Sequence, residues 1–214
     1  MPQLLRIDSS ADLHASTSRQ LTALFADTWK SISNDHTVLA RDLHRFPLPH
    51  LPSSSLHYAP HLRTAQEQPS EHDQHLQNEL IAELTRADAV VLAAPMYHWS
   101  VPSTLKAWID WIHVAGITAP FDSEERPLAG KPVVVISTRG VEYGPGAGNF
   151  GADHTVPPVQ LALADSLGMH LSVVTVDLTL AHRIPALSGS TGKAADNVAA
   201  ARQSVQDLAV SIGS

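Results

Sequence analysis

Short apolar runs and longer amphipathic stretches alternate along the whole chain. The short runs predict strands, and the stretches with hydrophobic residues at helical spacing predict helices. This alternation is typical of βαβ units, which build a parallel sheet with helices on its faces. Because no internal repeat and no linker interrupts the pattern, we expect residues 1–214 to form one doubly wound α/β domain.

Five segments are predicted to be strands and five to be helices. The strands are Gln3–Asp8, Thr37–Leu43, Asp88–Ala94, Pro132–Ser137 and Leu171–Val176. The helices are approximately Ser16–Ser33, a segment that starts near His75, Pro102–His113, Pro158–Leu167 and Thr191–Ile212. The continuous apolar run Asp88–Ala94 indicates a central strand that is buried on both faces. Residues 44–70 contain five prolines and several histidines, so they predict a long surface excursion.

Charge and composition exclude several classes of protein. The formal net charge is −7, and a field of that sign repels the phosphates of nucleic acids. The chain has no cysteine, which excludes disulfides, thiolate metal sites and iron–sulfur clusters. No apolar run reaches the ~18 residues that span a bilayer. Its N-terminal segment also lacks the pattern of a signal peptide. We therefore expect a cytoplasmic protein without a nucleic-acid or membrane partner.

Ligands of open parallel sheets bind beyond the carboxyl ends of the strands. The loop after the first predicted strand carries hydroxyls at Ser9, Ser10, Ser16, Thr17 and Ser18 and leads into a helix. The free backbone N–H groups and positive dipole of a helix N-terminus suit a phosphate group. The alternative is that Ser16 only caps the helix and the rest is a polar turn.

Two further loops on the same edge are unusual in composition. The loop after the third predicted strand contains Met96, Tyr97 and Trp99, which suit a wall against a flat aromatic ligand. The loop 137–148 opens with hydroxyl donors and then becomes rich in glycine, so its backbone can approach a ligand closely. Core packing and a mobile lid are the respective alternatives. Together the three loops favour a flat, phosphorylated ligand.

The segment Ala94–Asp110, which reads APMYHWSVPSTLKAWID, resembles the flavodoxin-like family of FMN-dependent NADH:azoreductases and quinone reductases. Ser9–Ser10, Ser16–Ser18 and Ser137–Gly140 share this resemblance, which extends over essentially the whole chain. It implies a five-stranded parallel sheet in the order 2-1-3-4-5, a bound FMN and helices on both faces.

The resemblance also implies a set of site residues, and the flavin itself would carry the chemistry, with no catalytic side chain. The FMN phosphate would be held by Ser10, Ser16, Thr17 and Ser18. The ribityl chain and isoalloxazine would contact Met96, Tyr97, His98 and Trp99, and the pyrimidine edge would contact Thr138, Arg139, Gly140 and Val141. Trp99 and Phe121 would also face the substrate. At His98 the family usually has Asn.

The implied activity is the transfer of electrons from NADH or NADPH to quinones and azo compounds. A ping-pong hydride transfer through flavin N5 would carry it, in a homodimer with FMN sites at the subunit interface. A flavodoxin-type electron carrier or a flavin-binding regulatory module is the alternative. Carriers bury FMN in a mostly closed and strongly acidic site. The excursion 44–70 and the loop 117–129 instead suggest walls for a second ligand.

Other motifs carry less weight. Gly146–Gly151 spells G-x-G-x-x-G, but no strand directly precedes it and prolines interrupt the following helix, so a nicotinamide-binding half is disfavoured. The pairs His57/His61 and His72/His75 lie at metal-compatible spacing, but these histidines sit in or just after the proline-rich excursion, without the organised helix that such ligands require, and we expect no metal site. His98 leaves two interpretations open. Either its protonated ring stabilises reduced flavin, or it points to solvent or bonds a backbone carbonyl.

Overall fold

A computed structural model describes residues 1–214. Its framework is a parallel sheet in the order β2-β1-β3-β4-β5, which confirms the predicted fold class. The strands are β1 Gln3–Asp8, β2 Thr37–Asp42, β3 Ala89–Ala93, β4 Pro132–Thr138 and β5 His170–Val176. Each boundary lies within one residue of the prediction, because the buried apolar runs determine where the strands pair.

Helices cover both faces of the sheet. They are α1 Thr17–Ile32, α2 Glu71–Arg86, α3 Ser103–Ile112, α4 Val156–Gln160 and α5 Thr191–Gly213. Helix α2 starts four residues before the predicted His75, because Ser70 caps it by accepting the N–H of Asp73. Pro102 is the N-cap of α3, one position before the predicted first turn.

The predicted helix Pro158–Leu167 is divided in the structure. After the short α4, residues Leu161–Ser166 form a π-helical turn. The amide of Leu167 then donates to the carbonyl of Ala162 at 3.3 Å, five residues earlier. Such π-helical insertions are invisible to a pattern based on 3.6 residues per turn.

Two apolar cores lie on opposite faces of the sheet. One contains Leu5, Leu92 and Trp108, and the other contains Leu4, Phe25 and Trp29. Strand β3 is buried at every position, as predicted for the central strand. The alternation of β1 residues between the two cores is the expected consequence of the period of two in a strand.

The excursion 44–70 is only partly a surface feature. Leu56 within it is fully buried in the core beside α3. The indole N–H of Trp111 donates to the carbonyl of Pro49 at 2.8 Å. The side-chain amide of Gln77 on α2 donates to the carbonyl of Leu56, also at 2.8 Å. The proline content conceals these contacts, because they pair residues far apart in the sequence.

No helix in the structure combines the length and the apolar character that crossing a membrane requires.

Candidate functional site

A cleft of about 410 Å³ opens at the carboxyl edge of the sheet. Its volume falls within the range of ligand-binding clefts, about 300–1,000 Å³. The lining comes from the loops after β1, β3, β4 and β5. The lining residues are Ser10, Asp12, Ala15, Ser16, Thr17, Pro95, Met96, Tyr97, Thr138, Gly140, Thr179, Leu180, His182 and Arg183.

The loop after β1 presents backbone donors to the cleft. The Ser16 hydroxyl caps α1 by accepting the N–H of Arg19 at 3.3 Å. The N–H groups of Thr17 and Ser18, at the start of the helix, have no acceptor within the chain. Free amides of this kind, at the positive end of the helix dipole, bind anions. Capping and anion binding are therefore compatible roles of the same loop.

Arg19 fixes the shape of this loop. Its guanidinium donates to the carbonyl of Ser10 from Nε at 3.0 Å and from Nη2 at 2.7 Å. The same group forms a bidentate pair with Asp42 at the end of β2, at 2.6 and 2.8 Å. Burial raises the pKa of the Asp42 carboxyl, but hydrogen bonds from Arg19 and from two backbone amides outweigh burial and lower this pKa to about 2.

The loop after β3 forms a tight turn between Tyr97 and Ser100. The two residues exchange backbone hydrogen bonds of 2.8 and 3.1 Å. The central residues, His98 and Trp99, both have positive φ, 51° and 68°. Such a turn favours Asn and Gly. Residue His154 stabilises it, because its N–H donates to the carbonyl of Trp99 at 2.9 Å.

The Tyr97 ring links this turn to the loop after β1. Its hydroxyl accepts the N–H of Ala11 at 2.8 Å and lies 3.3 Å from the hydroxyl of Ser10. Met96 is anchored to the end of β4, since its N–H donates to the carbonyl of Thr138 at 2.9 Å. Three of the loops that line the cleft are thus connected directly.

The loop after β4 is held by Arg139. Its guanidinium donates to Asp177 at 2.6 and 3.1 Å and to Asp153 at 2.8 Å. It also lies 5.5 Å from the centre of the Tyr143 ring, a cation–π distance. Its backbone is engaged as well, since its N–H donates to the carbonyl of Val176 at 2.8 Å, so Arg139 shapes the loop without offering a free donor of its own. The N–H groups of Gly140 and Val141 that follow it have no acceptor within the chain.

The structure brings together seven of the predicted site residues. They are Ser10, Ser16, Thr17, Met96, Tyr97, Thr138 and Gly140, all of which line the cleft. Ser18 is fully buried behind them, with its hydroxyl 3.1 Å from that of Ser16.

The remaining predicted residues do not line the cleft. His98 and Trp99 are exposed in the turn, and the His98 ring makes no hydrogen bond. The half-buried Val141 and the side chain of Arg139 lie outside the lining. Phe121 packs edge-on against Tyr58 with ring centroids 6.1 Å apart.

Seven lining residues were not predicted. Three of them, Asp12, Ala15 and Pro95, lie in loops that the sequence had indicated, and the other four, Thr179, Leu180, His182 and Arg183, lie in the loop after β5. Composition had pointed only to the loops after the first, third and fourth strands. The rule that ligands bind beyond strand ends applies equally to the fifth. The adjacent basic residues His182 and Arg183 are the sequence feature that could have indicated a ligand-binding role for this loop.

Comparison with known proteins gives consistent results. The sequence model of a family described as having a flavodoxin-like fold matches residues 2–208. A protein of Kineococcus radiotolerans named FMN-dependent NADH:quinone oxidoreductase is 43% identical over 209 residues, which cover 98% of this chain and 99% of the relative. A Streptomyces avermitilis protein of the same name is 37% identical, with 97% and 98% coverage.

Among solved structures, an FMN-dependent NADH-azoreductase from Bacillus anthracis in complex with FMN superimposes with a TM-score of 0.79. The two chains are 18% identical, and the alignment covers 100% of both. At this identity the likeness establishes the shared fold.

Proposed function

The chain belongs to the flavodoxin-like family of FMN-dependent NADH:azoreductases and quinone reductases, and from this premise we propose that it is an FMN-dependent NADH:quinone oxidoreductase. The observation that carries the proposal is the cleft at the carboxyl edge of the sheet, where free amides of α1 face a wall that includes Met96 and Tyr97. The relatives that share its full length bear this name.

The residues present in the cleft fit FMN. A phosphate suits the hydroxyls of Ser10, Ser16 and Thr17 together with the unpaired N–H groups at the start of α1. The side chains of Met96, Tyr97 and Leu180 offer apolar surface to a flat ring. The loop provides only one phosphate cradle, so the ligand is a mononucleotide rather than FAD.

Bound FMN would supply, through its N5, the hydride chemistry that links NADH to a quinone or azo acceptor. The chain supplies binding, orientation and fixed dipoles. The free N–H groups of Gly140 and Val141 are suited to donate to the pyrimidine edge, where negative charge develops on reduction. The ion pairs of Arg139 with Asp177 and Asp153 hold the backbone of this loop in place, so the two amides need no reorganisation during turnover.

Titration of the purified protein with FMN, FAD and riboflavin tests cofactor binding. Quenching of flavin fluorescence should saturate at one FMN per chain, and FAD should bind more weakly because the cleft has no second phosphate site. A colourless protein whose spectrum FMN does not change would refute the proposal.

We extend the proposal to a substituted-enzyme scheme in which NADH transfers its hydride and leaves as NAD⁺ before the acceptor binds. One face of the cofactor then serves both substrates. Double-reciprocal plots of the initial rate against NADH concentration, each at a different acceptor concentration, should therefore be parallel. Lines that intersect would contradict this order. A panel with a quinone and an azo compound, each with NADH and NADPH, measures which acceptor and donor are used best.

The proposal also includes a homodimer with FMN sites at the interface, a single FMN-binding domain over residues 1–214, and a cytoplasmic location. Exposed aromatic residues in the loops after β3 and β4 support the dimer, since Trp99 is 54% and Phe150 66% exposed. The single five-stranded sheet, with the cleft at its carboxyl edge, supports one binding domain. The absence of cysteine is compatible with the cytoplasm.

A further inference from the structure

The loop after β5 is fastened to the loop after β4. The N–H and the hydroxyl of Thr179 both donate to the carbonyl of Arg139, each at 3.0 Å. The N–H of Leu180 donates to the carbonyl of Gly140 at 3.2 Å. A Cβ atom placed on Gly140 would lie 2.6 Å from a methyl group of Leu180, so any larger residue at position 140 would displace the Leu180 side chain. The β5 loop therefore has a fixed position against the cleft.

The same loop is tightly folded. Leu178 is buried with φ of +65°, a conformation that L residues rarely adopt. The N–H groups of Arg183 and Ile184 both donate to the carbonyl of Leu180, at 2.9 and 3.0 Å. Backbone strain of this kind persists where surrounding contacts over-determine it, often at ligand sites. The loop thus presents its side chains from a rigid backbone.

Arg183 is the only lysine or arginine that lines the cleft. Its side chain is exposed and forms no salt bridge or hydrogen bond within the chain. By contrast, the other cations at this edge, Arg19 and Arg139, are engaged by carboxylates. Arg183 is consequently the one cation of the cleft that is available to a ligand.

The cleft also contains a carboxylate, whose negative charge opposes the binding of a phosphate. Asp12 lines the same space, and its Oδ1 accepts the N–H groups of Ala15 at 2.8 Å and His14 at 2.9 Å. These two bonds, followed by the positive charge of Arg183, lower the pKa of the Asp12 carboxyl. Asp12 is therefore ionised near neutral pH and would repel a phosphate, which carries a charge of about −1.5 to −2.

We propose that Arg183, supplied by the loop after β5, binds the phosphate of FMN together with the amides of α1. The proposal rests on FMN binding as proposed above and adds a recognition residue outside the loop after β1. A guanidinium can donate two parallel hydrogen bonds to a phosphate. It also offsets the charge of Asp12, so the cleft accepts a phosphate monoester despite a carboxylate in its wall.

The test compares FMN with riboflavin, which has the same ring and ribityl chain but no phosphate. Arg183→Gln should raise the dissociation constant of FMN about tenfold, the loss expected for one charge-assisted contact at an exposed site. Riboflavin should bind the variant and the parent equally. Arg202→Gln on the exposed face of α5 removes the same charge away from the cleft and is the matched control; it should change neither constant.

Two further variants separate charge from structure. Arg183→Lys should recover part of the FMN affinity. Asp12→Asn keeps the Oδ1 acceptor and removes the charge, so it should tighten FMN binding several-fold in the Arg183→Gln background. Far-UV circular dichroism confirms that each variant is folded.

Unchanged FMN affinity in Arg183→Gln, or an equal loss for FMN and riboflavin, would overturn the role of Arg183 while leaving FMN binding intact. A parent protein that binds neither flavin would overturn the proposed function as well.

Discussion

At the scale of single residues, backbone strain collects at the edge of the sheet that carries the cleft. His98, Trp99 and Leu178 are the three non-glycine residues with positive φ. All three lie in loops that follow the carboxyl ends of strands. Each such residue raises the free energy of the folded state by about 1–3 kcal/mol unless its surroundings compensate. The strained backbone is therefore found in the same loops that form or flank the cleft.

The turn at His98 and Trp99 provides a direct test of this strain. Replacing the pair by the preferred turn residues, through His98→Asn combined with Trp99→Gly, should raise the free energy of unfolding by about 1–2 kcal/mol. Urea unfolding of the apoprotein measures the change. The single variant Trp99→Ala removes the same side chain without relieving the strain, and is the control. Equal stability of both variants would show that the turn is not strained.

Sequence patterns did not reveal these positions. His98 and Trp99 carry no signal for positive φ, because the turn residues that predict it are Asn and Gly. The role of Arg139 was hidden for a different reason. Its partners Asp153 and Asp177 lie 14 and 38 residues away, and an ion pair between distant residues leaves no local pattern.

At the scale of elements, Arg19 and Asp42 connect α1, the loop after β1 and the end of β2. Their bidentate contact is mostly buried, with side-chain exposures of 13% and 19%. Because Arg19 also holds the carbonyl of Ser10, the ionisation of Asp42 supports the phosphate cradle. Acid should therefore weaken both the fold and the cradle.

The direction of this pH dependence follows from the lowered pKa. Asp42 has a folded-state pKa of about 2 against an ordinary value of 3.8. Its contribution to stability is complete above about pH 4 and is lost as pH falls toward 2. Asp42→Asn should lower the free energy of unfolding by about 2 kcal/mol near pH 7, given 1.36 kcal/mol per pKa unit. This difference from the parent should shrink as pH falls from 4 to 2.

Denaturant unfolding at several pH values measures the effect. Asp27→Asn, in an exposed pair with Lys30, is the control and should change stability little at any pH. A parent-to-variant difference for Asp42→Asn that does not depend on pH would contradict the account.

The elements differ in how far sequence could predict them. The strands follow from apolar runs such as Ala89–Ala93, which few other structures could bury. The π-helical turn Leu161–Ser166 and the buried part of the excursion could not be predicted, because both depend on tertiary packing. For the cleft, loops after β1, β3 and β4 were predicted from their residues. The loop after β5 needed the three-dimensional structure.

At the scale of the whole molecule, the exposed aromatic residues bear on assembly. Trp108 and Trp111 on α3 are buried, at 1% and 0% exposure, and so belong to the core. Trp99 and Phe150 are exposed and are available to a subunit contact.

A homodimer should show a mass of twice 23.0 kDa by light scattering at micromolar concentration. Trp99→Ser should shift the equilibrium toward the monomer, because it removes a large apolar side chain from the loop after β3. Phe46→Ser, at a site that is 74% exposed in the excursion, is the control and should leave the mass unchanged. A monomeric parent would contradict the proposed assembly.

The proposed activity requires that NADH reduce the FMN bound to this chain and that a quinone reoxidise it. Anaerobic stopped-flow mixing of the FMN-loaded protein with NADH tests this requirement directly, with free FMN at the same concentration as the control. We predict that the flavin absorbance of the protein falls far faster than that of free FMN and returns when a quinone is added. A loaded protein that keeps its flavin absorbance, or loses it no faster than free FMN, would contradict the account and favour an electron carrier or a regulatory module.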